Sequence, residues 1–263
     1  MQISFDLISD LHLETWEQPL DFAMMPTSPI CVVAGDVTRD RFLLTDALTQ
    51  LGKNYQAVMY IDGNDEHRWT LDNLETSYED LKAEIGSIDN VIYLQDNVAV
   101  FEGVGFVGTN GWWTYDFTEA DSYEDTKKWF MQQYKVGIQE CSNVEAMALY
   151  DIKYLNKSIA NLQKHPDINE LVIVTHTVPI PDLVNHDIEL DGTYRKNCVG
   201  NKRLPSCLQQ DTEGKIGTWV FGHYHGPIDK EIDGIRYVNN CRGRGDTQWR
   251  QPVYYPKRIE IDY

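Results

Sequence analysis

The sequence predicts an α/β fold with two β-sheets flanked by helices, and two observations lead to that prediction. In the first third of the chain, short apolar runs alternate with segments of helical periodicity, which is typical of parallel strand–helix–strand units. The last third has apolar runs joined by short turns, one of them Asp233-Gly234, which indicates hairpins. The 263 residues contain no repeat and no Gly/Ser linker, so we expect one domain spanning residues 1–263.

The first half of the chain predicts three strands and two helices before a small meander. Strands are expected over residues 3–8, 30–34 and 57–61, where apolar and β-branched residues are concentrated. A helix is predicted over 41–51, since Leu44, Leu48 and Leu51 recur at helical spacing and Gly52 follows. A second helix is predicted over 70–86, with the stripe Leu71, Leu74, Tyr78, Leu81 and Ile85. Residues 91–94, 98–101 and 106–109 are separated by short turns and predict an antiparallel meander.

The second half predicts two helices, then strands and a hairpin. The helices are expected over residues 122–134 and 144–164, and strands over 171–175 and 218–221. A hairpin over 228–232 and 235–238 precedes a final strand over 258–261. Residues 181–211 have weak periodicity and many polar side chains. We therefore expect them to form a long loop bordering the functional site.

Five short polar cassettes follow apolar runs of the chain. Because the carboxyl ends of buried strands meet at one edge of a sheet, these cassettes are expected to converge. Two aspartates, one asparagine and four histidines at one edge form a nitrogen and oxygen ligand set for two divalent metal ions. The cassettes are Asp10-Leu11-His12, Gly35-Asp36, Gly63-Asn64, Thr175-His176 and Gly222-His223-Tyr224-His225.

In this order the cassettes resemble those of the calcineurin-like metallophosphoesterase superfamily, over a span that covers most of the chain. Residues 10–14, 108–117, 175–179 and 239–243 are also similar to a group of small bacterial and phage phosphoesterases in that superfamily. The resemblance implies a four-layer αββα sandwich of two mixed β-sheets flanked by helices. It also implies a binuclear metal-dependent phosphoesterase with two divalent ions. Mn²⁺ is favoured, and iron, Zn²⁺ or Ni²⁺ also suit a ligand set without cysteine.

The resemblance assigns a role to each cassette residue. Asp36 would bridge both ions, and a hydroxide shared by them would attack phosphorus in line with the departing oxygen. The remaining ligands would be Asp10, His12 and His225 for the first ion, and Asn64, His176 and His223 for the second.

One cassette departs from the family pattern, which reads Gly-Asn-His followed by Asp or Glu. That histidine is thought to protonate the leaving group or contact the phosphate, but here Asp65 occupies its position and His67 lies two residues further on. His67 is either a substitute acid or a surface residue opening the next helix, and both interpretations stay open. Some family members without the histidine still hydrolyse phosphodiesters, so its loss does not by itself mean loss of activity. Without that acid the site should work best on diesters or activated esters, so a phosphodiesterase is favoured. The candidate catalytic residues are thus Asp36, Asn64, Asp65 and His67.

Substrate contacts are predicted from two further segments. Trp112 and Trp113 follow a predicted strand in a glycine-rich turn, where an indole ring can stack on a nucleobase or an aryl ester. Packing in the core is the alternative for one of them. Arg242 and Arg244 lie near the end of a late strand and suit phosphate binding, with an ion pair to a carboxylate as the alternative.

Composition limits the partners and the compartment. Lys and Arg number 23 against 41 Asp and Glu, a net charge of −18, so we expect no stable binding of duplex nucleic acid. A small phosphate ester remains compatible, because bound metal ions invert the local potential. No apolar run is long enough for a bilayer, and no secretory signal is visible. Five cysteines without paired spacing predict free thiols and a cytoplasmic location, and the oligomeric state stays open.

Two other functions remain open at this point. The first is a non-catalytic metal-binding scaffold, as in a retromer subunit of this fold, although the intact ligand set argues against it. The second is a phosphomonoesterase such as the superfamily's Ser/Thr phosphatases. Those enzymes carry an arginine beside the first cassettes and a histidine after the asparagine, and the sequence pattern shows neither here.

Overall fold

A computed structural model describes residues 2–184, 192–248 and 250–263 of the chain. Its first sheet has five strands, of which β1 (Gln2–Ile8) lies between β11 (Lys257–Asp262) and β2 (Ile30–Ala34). Next come β3 (Ala57–Ile61) and β4 (Val91–Tyr93). β11 is antiparallel to β1, and the other neighbours are parallel. The three strands that precede the first cassettes therefore end at the same edge.

The second sheet has six strands with a parallel centre. From one edge to the other they are β5 (Asn97–Phe101), β6 (Val104–Thr109), β7 (Glu170–Thr175), β8 (Ile216–Phe221), β10 (Ile235–Asn239) and β9 (Ile228–Ile232). β5 pairs antiparallel with β6, and β9 pairs antiparallel with β10. The parallel strands β7 and β8 carry the histidine cassettes at their ends.

The layers follow from the alternation of side chains along each strand. In β2, Val32 packs into the core between the two sheets, whereas Val33 packs against the outer helices. Helices α1 (Arg41–Asn54) and α2 (Leu74–Ile85) cover the first sheet, and α4 (Ile138–Leu162) covers the second. Two further helices, α3 (Tyr123–Tyr134) and α5 (Gly192–Lys196), lie near the strand ends that carry the cassettes. The predicted α/β sandwich of two mixed sheets with flanking helices is confirmed.

The predicted three-stranded meander is wrong in one strand. β4 pairs in parallel with β3 in the first sheet, and only β5 and β6 form a hairpin. The residues around Asp96, which has a φ of 54°, carry the chain from one sheet to the other. A turn has the same composition whether it joins two paired strands or leads to another sheet, so local sequence does not distinguish the two cases.

Three other segments differ from the prediction, and one of them is the helix predicted over 70–86, where the 3₁₀ turn Leu71–Asn73 precedes α2. α4 begins six residues before the predicted start, because the Glu140 side chain accepts a hydrogen bond of 3.0 Å from the Gly137 N–H and stabilises an earlier first turn. The predicted loop over 181–211 contains α5 and two 3₁₀ helices, Pro181–Leu183 and Leu204–Gln210. Its residues 185–191 lie outside the described residues.

All five cysteines are buried and free. The expectation of free thiols is therefore confirmed. Of the helices in the described ranges, none combines the length and the apolar character needed to span a membrane.

Candidate metal centre

The seven predicted ligand residues meet where five parallel strands end. Three of those strands, β1 to β3, belong to the first sheet, and β7 and β8 belong to the second. Asn64 joins the cluster through its Oδ1, which lies 3.2 Å from His176 Nε2. The other six residues form two trios, each with ligand atoms within 4.8 Å of one another: Asp10, His12 and His225, then Asp36, His176 and His223.

The backbone turns sharply at four of these positions. Asp10, His12, Asp36 and His223 have φ values of 51°, 42°, 52° and 63°, in the left-handed region that residues with a side chain rarely adopt. Such backbone costs free energy and is retained mainly where function requires a particular side-chain direction. Four such turns in a seven-residue cluster make this edge of the sheets the candidate functional site.

Glycines beside the ligands allow the cassettes to approach one another. A Cβ on Gly222 would lie 2.6 Å from Asp10 Oδ2, and a Cβ on Gly63 would clash with the Asp36 carboxylate. Any other residue would push the cassettes apart.

In the first trio, two ring nitrogens face each other. His12 Nε2 lies 3.1 Å from His225 Nε2, and His225 Nε2 lies 3.5 Å from Asp10 Oδ1. The other nitrogen of His12, Nδ1, lies 3.2 Å from Asp65 Oδ2. A carboxylate beyond a histidine fixes which ring nitrogen keeps its proton and leaves the other to bind a metal ion. A divalent cation between the facing nitrogens fits this arrangement.

The second trio is oriented in the same way. His176 Nδ1 donates to the Ala34 carbonyl at 2.9 Å, which leaves Nε2 directed at the cluster. His223 Nε2 donates to the Cys198 carbonyl at 3.1 Å, which leaves Nδ1 as the ligand nitrogen. The Asn64 amide donates to Asp65 Oδ1 at 3.2 Å, so its own Oδ1 faces His176. These outer hydrogen bonds are typical of metal-binding residues.

The Asp36 carboxylate belongs to the second trio and also faces the first. Its Oδ1 is 3.4 Å from His176 Nε2, and its Oδ2 is 3.8 Å from His12 Nε2. The Asp65 N–H donates to Oδ1 at 2.8 Å and holds the carboxylate in place. One carboxylate oxygen thus faces His176 of its own trio and the other faces His12 of the first trio, as a bridging ligand requires.

Glu66 connects the second and third cassettes through hydrogen bonds to their backbone. Its carboxylate accepts hydrogen bonds from the backbone N–H groups of Asp36 at 3.1 Å, Val37 at 2.7 Å and Gly63 at 2.7 Å. None of the sequence patterns assigned Glu66 a function, although it matches the acidic position of the family cassette. It sets the position of the turn that presents Asp36.

The charges of the cluster favour cations. Burial opposes ionisation of His176, but the Asp36 carboxylate outweighs it and raises the pKa of His176 to about 10. Burial and the neighbouring charge of His176 lower the pKa of His223 to about 4. The aspartates thus stabilise positive charge beside them, which is the electrostatic condition for binding metal ions.

Asp65 faces the site as an ionised carboxylate. Arg39 donates to it at 2.8 and 3.0 Å, and Arg244 lies 3.5 Å away. Burial would raise the pKa of Asp65, but His12 and Arg39 outweigh it and hold the pKa well below its usual range. Asp65 therefore has no proton to donate near neutral pH, and its position supports orienting His12.

The structure does not bring His67 to the site. The ring is fully buried, with Nε2 at 2.9 Å from Asp62 Oδ2 and Nδ1 at 2.7 Å from Ser77 Oγ. Residues Asp65–His67 form a 3₁₀ helix, whose three residues per turn direct neighbouring side chains to different sides. Asp65 consequently faces the cavity, while His67 faces the core. His67 is therefore neither an acid at the site nor a surface residue.

The two tryptophans have different environments. Trp112 is fully buried, and its Nε1 donates to the Tyr78 hydroxyl at 2.6 Å, so it belongs to the core and cannot contact substrate. Trp113 lines the cavity and stacks on the His223 ring, with centroids 5.6 Å apart and planes 12° apart. Trp113 therefore helps to orient a predicted metal ligand.

Arg242 also lies outside the cavity. Its guanidinium packs 3.8 Å above the Trp16 ring, and the residue is only 3% exposed. Gly243 has a φ of 78° and turns the chain between Arg242 and Arg244. Arg244, rather than Arg242, therefore lines the cavity.

A cavity of about 250 Å³ opens above the cluster. One wall is apolar and includes Leu71, Phe130 and Tyr134. Arg39 lies three residues after Asp36 and lines the cavity. An arginine is therefore present beside the first cassettes, although none was expected there from the sequence. In a chain of net charge −18, four guanidinium groups line this one cavity, which suits an anionic ligand. They belong to Arg39, Arg68, Arg195 and Arg244.

Shortening Trp113 should weaken metal binding, because His223 would lose the ring that holds it in position. We expect Trp113→Ala to lower Mn²⁺ affinity by about tenfold or more, as outer-shell changes typically do, and Trp113→Phe to retain most of it. Isothermal titration calorimetry measures the affinity. Trp129→Ala, which removes an indole that does not line the cavity, is the control. Equal affinities in wild type and Trp113→Ala would contradict the orienting role.

Comparisons with known proteins bear on the fold. No protein-family model and no curated protein matches the sequence. Among solved structures, the chain is similar to phosphopantetheinyl hydrolase (PptH) from Mycobacterium tuberculosis, with a TM-score of 0.73 and 20% sequence identity. The match covers 97% of this chain and 95% of that chain.

Two further solved structures are similar at lower identity. One is a putative 5′-nucleotidase from Staphylococcus aureus, with a TM-score of 0.50, 14% identity and coverage of 92% of this chain and 49% of that chain. The other is GAP50, described as the anchor in the inner membrane complex of Plasmodium, with a TM-score of 0.53 and 10% identity over 98% and 81%. At these identities the likeness shows a shared fold, which is consistent with the metallophosphoesterase-like fold that the cassettes predict.

Proposed function

We propose that this protein is a metal-dependent phosphoesterase that binds two divalent ions and hydrolyses phosphodiester bonds of a small or nucleotide-like substrate. The observation that carries the proposal is the convergence of seven side chains with nitrogen or oxygen ligand atoms from five strand ends, with the Asp36 carboxylate facing a histidine of each trio. The similar fold of a phosphopantetheinyl hydrolase and a putative 5′-nucleotidase supports it.

The ligand roles follow from the two trios. When bound, the two ions supply Lewis-acid activation of the phosphate and of the attacking water. Mn²⁺ is the favoured ion, and iron, Zn²⁺ or Ni²⁺ also suit these ligands. Asp36 would contact both ions; Asp10, His12 and His225 would hold one, and Asn64, His176 and His223 the other.

The chain's own residues would bind the substrate and orient the ligands. Asp65 and Trp113 hold His12 and His223 in position, and the cavity arginines attract the phosphate. Asp65 is ionised and His67 faces the core, so neither candidate supplies a proton to the departing oxygen. Hydrolysis should therefore be fastest when that oxygen is a good leaving group, and alkyl phosphomonoesters should be poor substrates.

A non-catalytic role is the main alternative, since GAP50, described as an anchor, has a similar fold. The hydrogen bonds of His176 and His223 to backbone carbonyls, and the contact of His12 with the Asp65 carboxylate, favour the enzyme, because they select the ring nitrogens that face the cluster.

Metal removal and a substrate panel test the proposal. We expect exhaustive chelation to abolish hydrolysis of bis(4-nitrophenyl) phosphate and Mn²⁺ to restore it, with about two ions per chain by elemental analysis. The diester should be preferred over 4-nitrophenyl phosphate. The panel also contains cyclic nucleotides and dinucleotide pyrophosphates. A phosphopantetheinyl ester is included because one protein of similar fold is a phosphopantetheinyl hydrolase.

Two results would contradict the proposal. Activity that survives chelation would reject the metal-dependent mechanism. A preference for alkyl monoesters would reject the diesterase assignment while leaving the metal centre in place.

A further inference from the structure

Arg68 lies in the cavity wall and has no ionic partner among the residues that the structure describes. It follows the Asp65–His67 turn and is half-buried, with its guanidinium 4.7 Å above the Tyr134 ring and 5.7 Å from the centre of the Trp69 ring. Stacking on an aromatic face leaves the edge of a guanidinium, where its N–H groups lie, available for a ligand.

The neighbouring arginines are already paired. Arg39 forms two hydrogen bonds with Asp65, and Arg244 lies 3.2 Å from Asp246 and 3.5 Å from Asp65. Across residues 2–184, 192–248 and 250–263, no carboxylate comes within ion-pair distance of Arg68. The chain has 41 Asp and Glu, yet within the described ranges none of them pairs with this cavity arginine.

The position of Arg68 is electrostatically unfavourable without an anion. Burial and the nearby charge of Arg39 lower the pKa of Arg68, and Tyr134 and the more distant Asp65 carboxylate offset only part of this effect. A cation partly removed from water beside a like charge costs free energy unless an anion offsets it. Local costs of this kind are retained mainly at functional positions.

We propose that Arg68 binds a second anionic group of the substrate, a carboxylate or phosphate at a distance from the phosphorus that is attacked. The inference rests on the proposed function and specifies its substrate class, namely a phosphodiester whose organic arm ends in an anion. The arm would pack along the apolar wall at Leu71 and Phe130, and the anion would accept two parallel hydrogen bonds from the guanidinium.

A matched pair of diesters tests the subsite. Butyl 4-nitrophenyl phosphate and 3-carboxypropyl 4-nitrophenyl phosphate share the bond that breaks, the leaving group and the number of carbons in the arm. The wild-type protein should show a kcat/KM about tenfold higher for the carboxylated diester, the low end for a hydrogen bond to a charged group. Arg68→Met should abolish this preference through KM, and Arg68→Lys should retain part of it.

The control removes the same charge elsewhere. Arg258 lies in β11, is paired with Glu260 and does not line the cavity, so Arg258→Met should keep the preference. All variants should contain the same amount of metal. Equal kcat/KM for the two diesters in the wild type, or an Arg68→Met variant that slows both equally, would overturn the inference.

A binding measurement separates failure of the subsite from failure of the proposed function. Calorimetry with Mn²⁺-loaded protein should show tighter binding of 4-phosphonobutyrate than of butylphosphonate, and Arg68→Met should equalise the two affinities. If neither diester is hydrolysed, the proposed function fails, and the calorimetry still decides whether Arg68 binds an anion. Equal affinities in the wild type would reject the subsite.

Discussion

Replacing Asp36 by Asn is expected to lower turnover by at least about a thousandfold and to reduce the bound metal. The Asp36 carboxylate faces His176 with one oxygen and His12 with the other. An amide is neutral and presents N–H donors on one side, so it cannot place an anionic oxygen toward both His176 and His12. Elemental analysis and steady-state kinetics measure the two effects.

A matched control tests whether the effect is specific to the site. Asp125 in α3 has a side chain that is 63% exposed and paired with Lys128, so Asp125→Asn should change neither metal content nor turnover. Thermal unfolding verifies that both variants are folded. Unchanged turnover with both ions retained in Asp36→Asn would remove the basis for the metal centre.

Replacing His67 by Leu is expected to lower the free energy of unfolding by about 3–5 kcal/mol, because it leaves the buried Asp62 carboxylate without its imidazole partner. Both ring nitrogens of His67 are bonded within the core. The ratio of kcat/KM values for diesters with good and poor leaving groups should stay constant. Denaturant unfolding and this ratio are the measurements.

A second variant makes the His67 prediction testable even if His67→Leu folds poorly. Adding Asp62→Asn removes the unpaired buried charge and should recover part of the stability, as a double-mutant cycle would show. The exposed His165 provides the control, since His165→Leu should change stability by less than about 0.5 kcal/mol. A stable His67→Leu variant that selectively slows esters with poor leaving groups would restore the catalytic interpretation.

The residue types and order of the candidate site could be predicted from local sequence. Apolar runs followed by Asp10, Asp36, Asn64, His176 and His223 identify strand ends, and parallel strands bring such ends to one edge of a sheet. The positions of the strands were also predictable, because a run of apolar and β-branched residues is a property of each segment by itself. Two mixed sheets with flanking helices follow from the same periodicities, together with the family resemblance.

Side-chain directions at the site depended on contacts between residues far apart in the chain. His67 and Asp65 are two positions apart, yet the 3₁₀ turn directs one to the core and the other to the cavity. Trp113 reaches the site because it stacks on His223, more than a hundred residues later, whereas adjacent Trp112 is bonded to Tyr78.

The sequence by itself determined which atoms could bind metal and at which strand ends they stand, since both depend on residue type and periodicity. The tertiary structure decided that β4 joins the first sheet, that Arg244 rather than Arg242 lines the cavity, and that Arg68 has no carboxylate beside it within the described part of the chain. These outcomes are set by backbone dihedral angles and by partners distant in sequence. Local patterns carry no information about either.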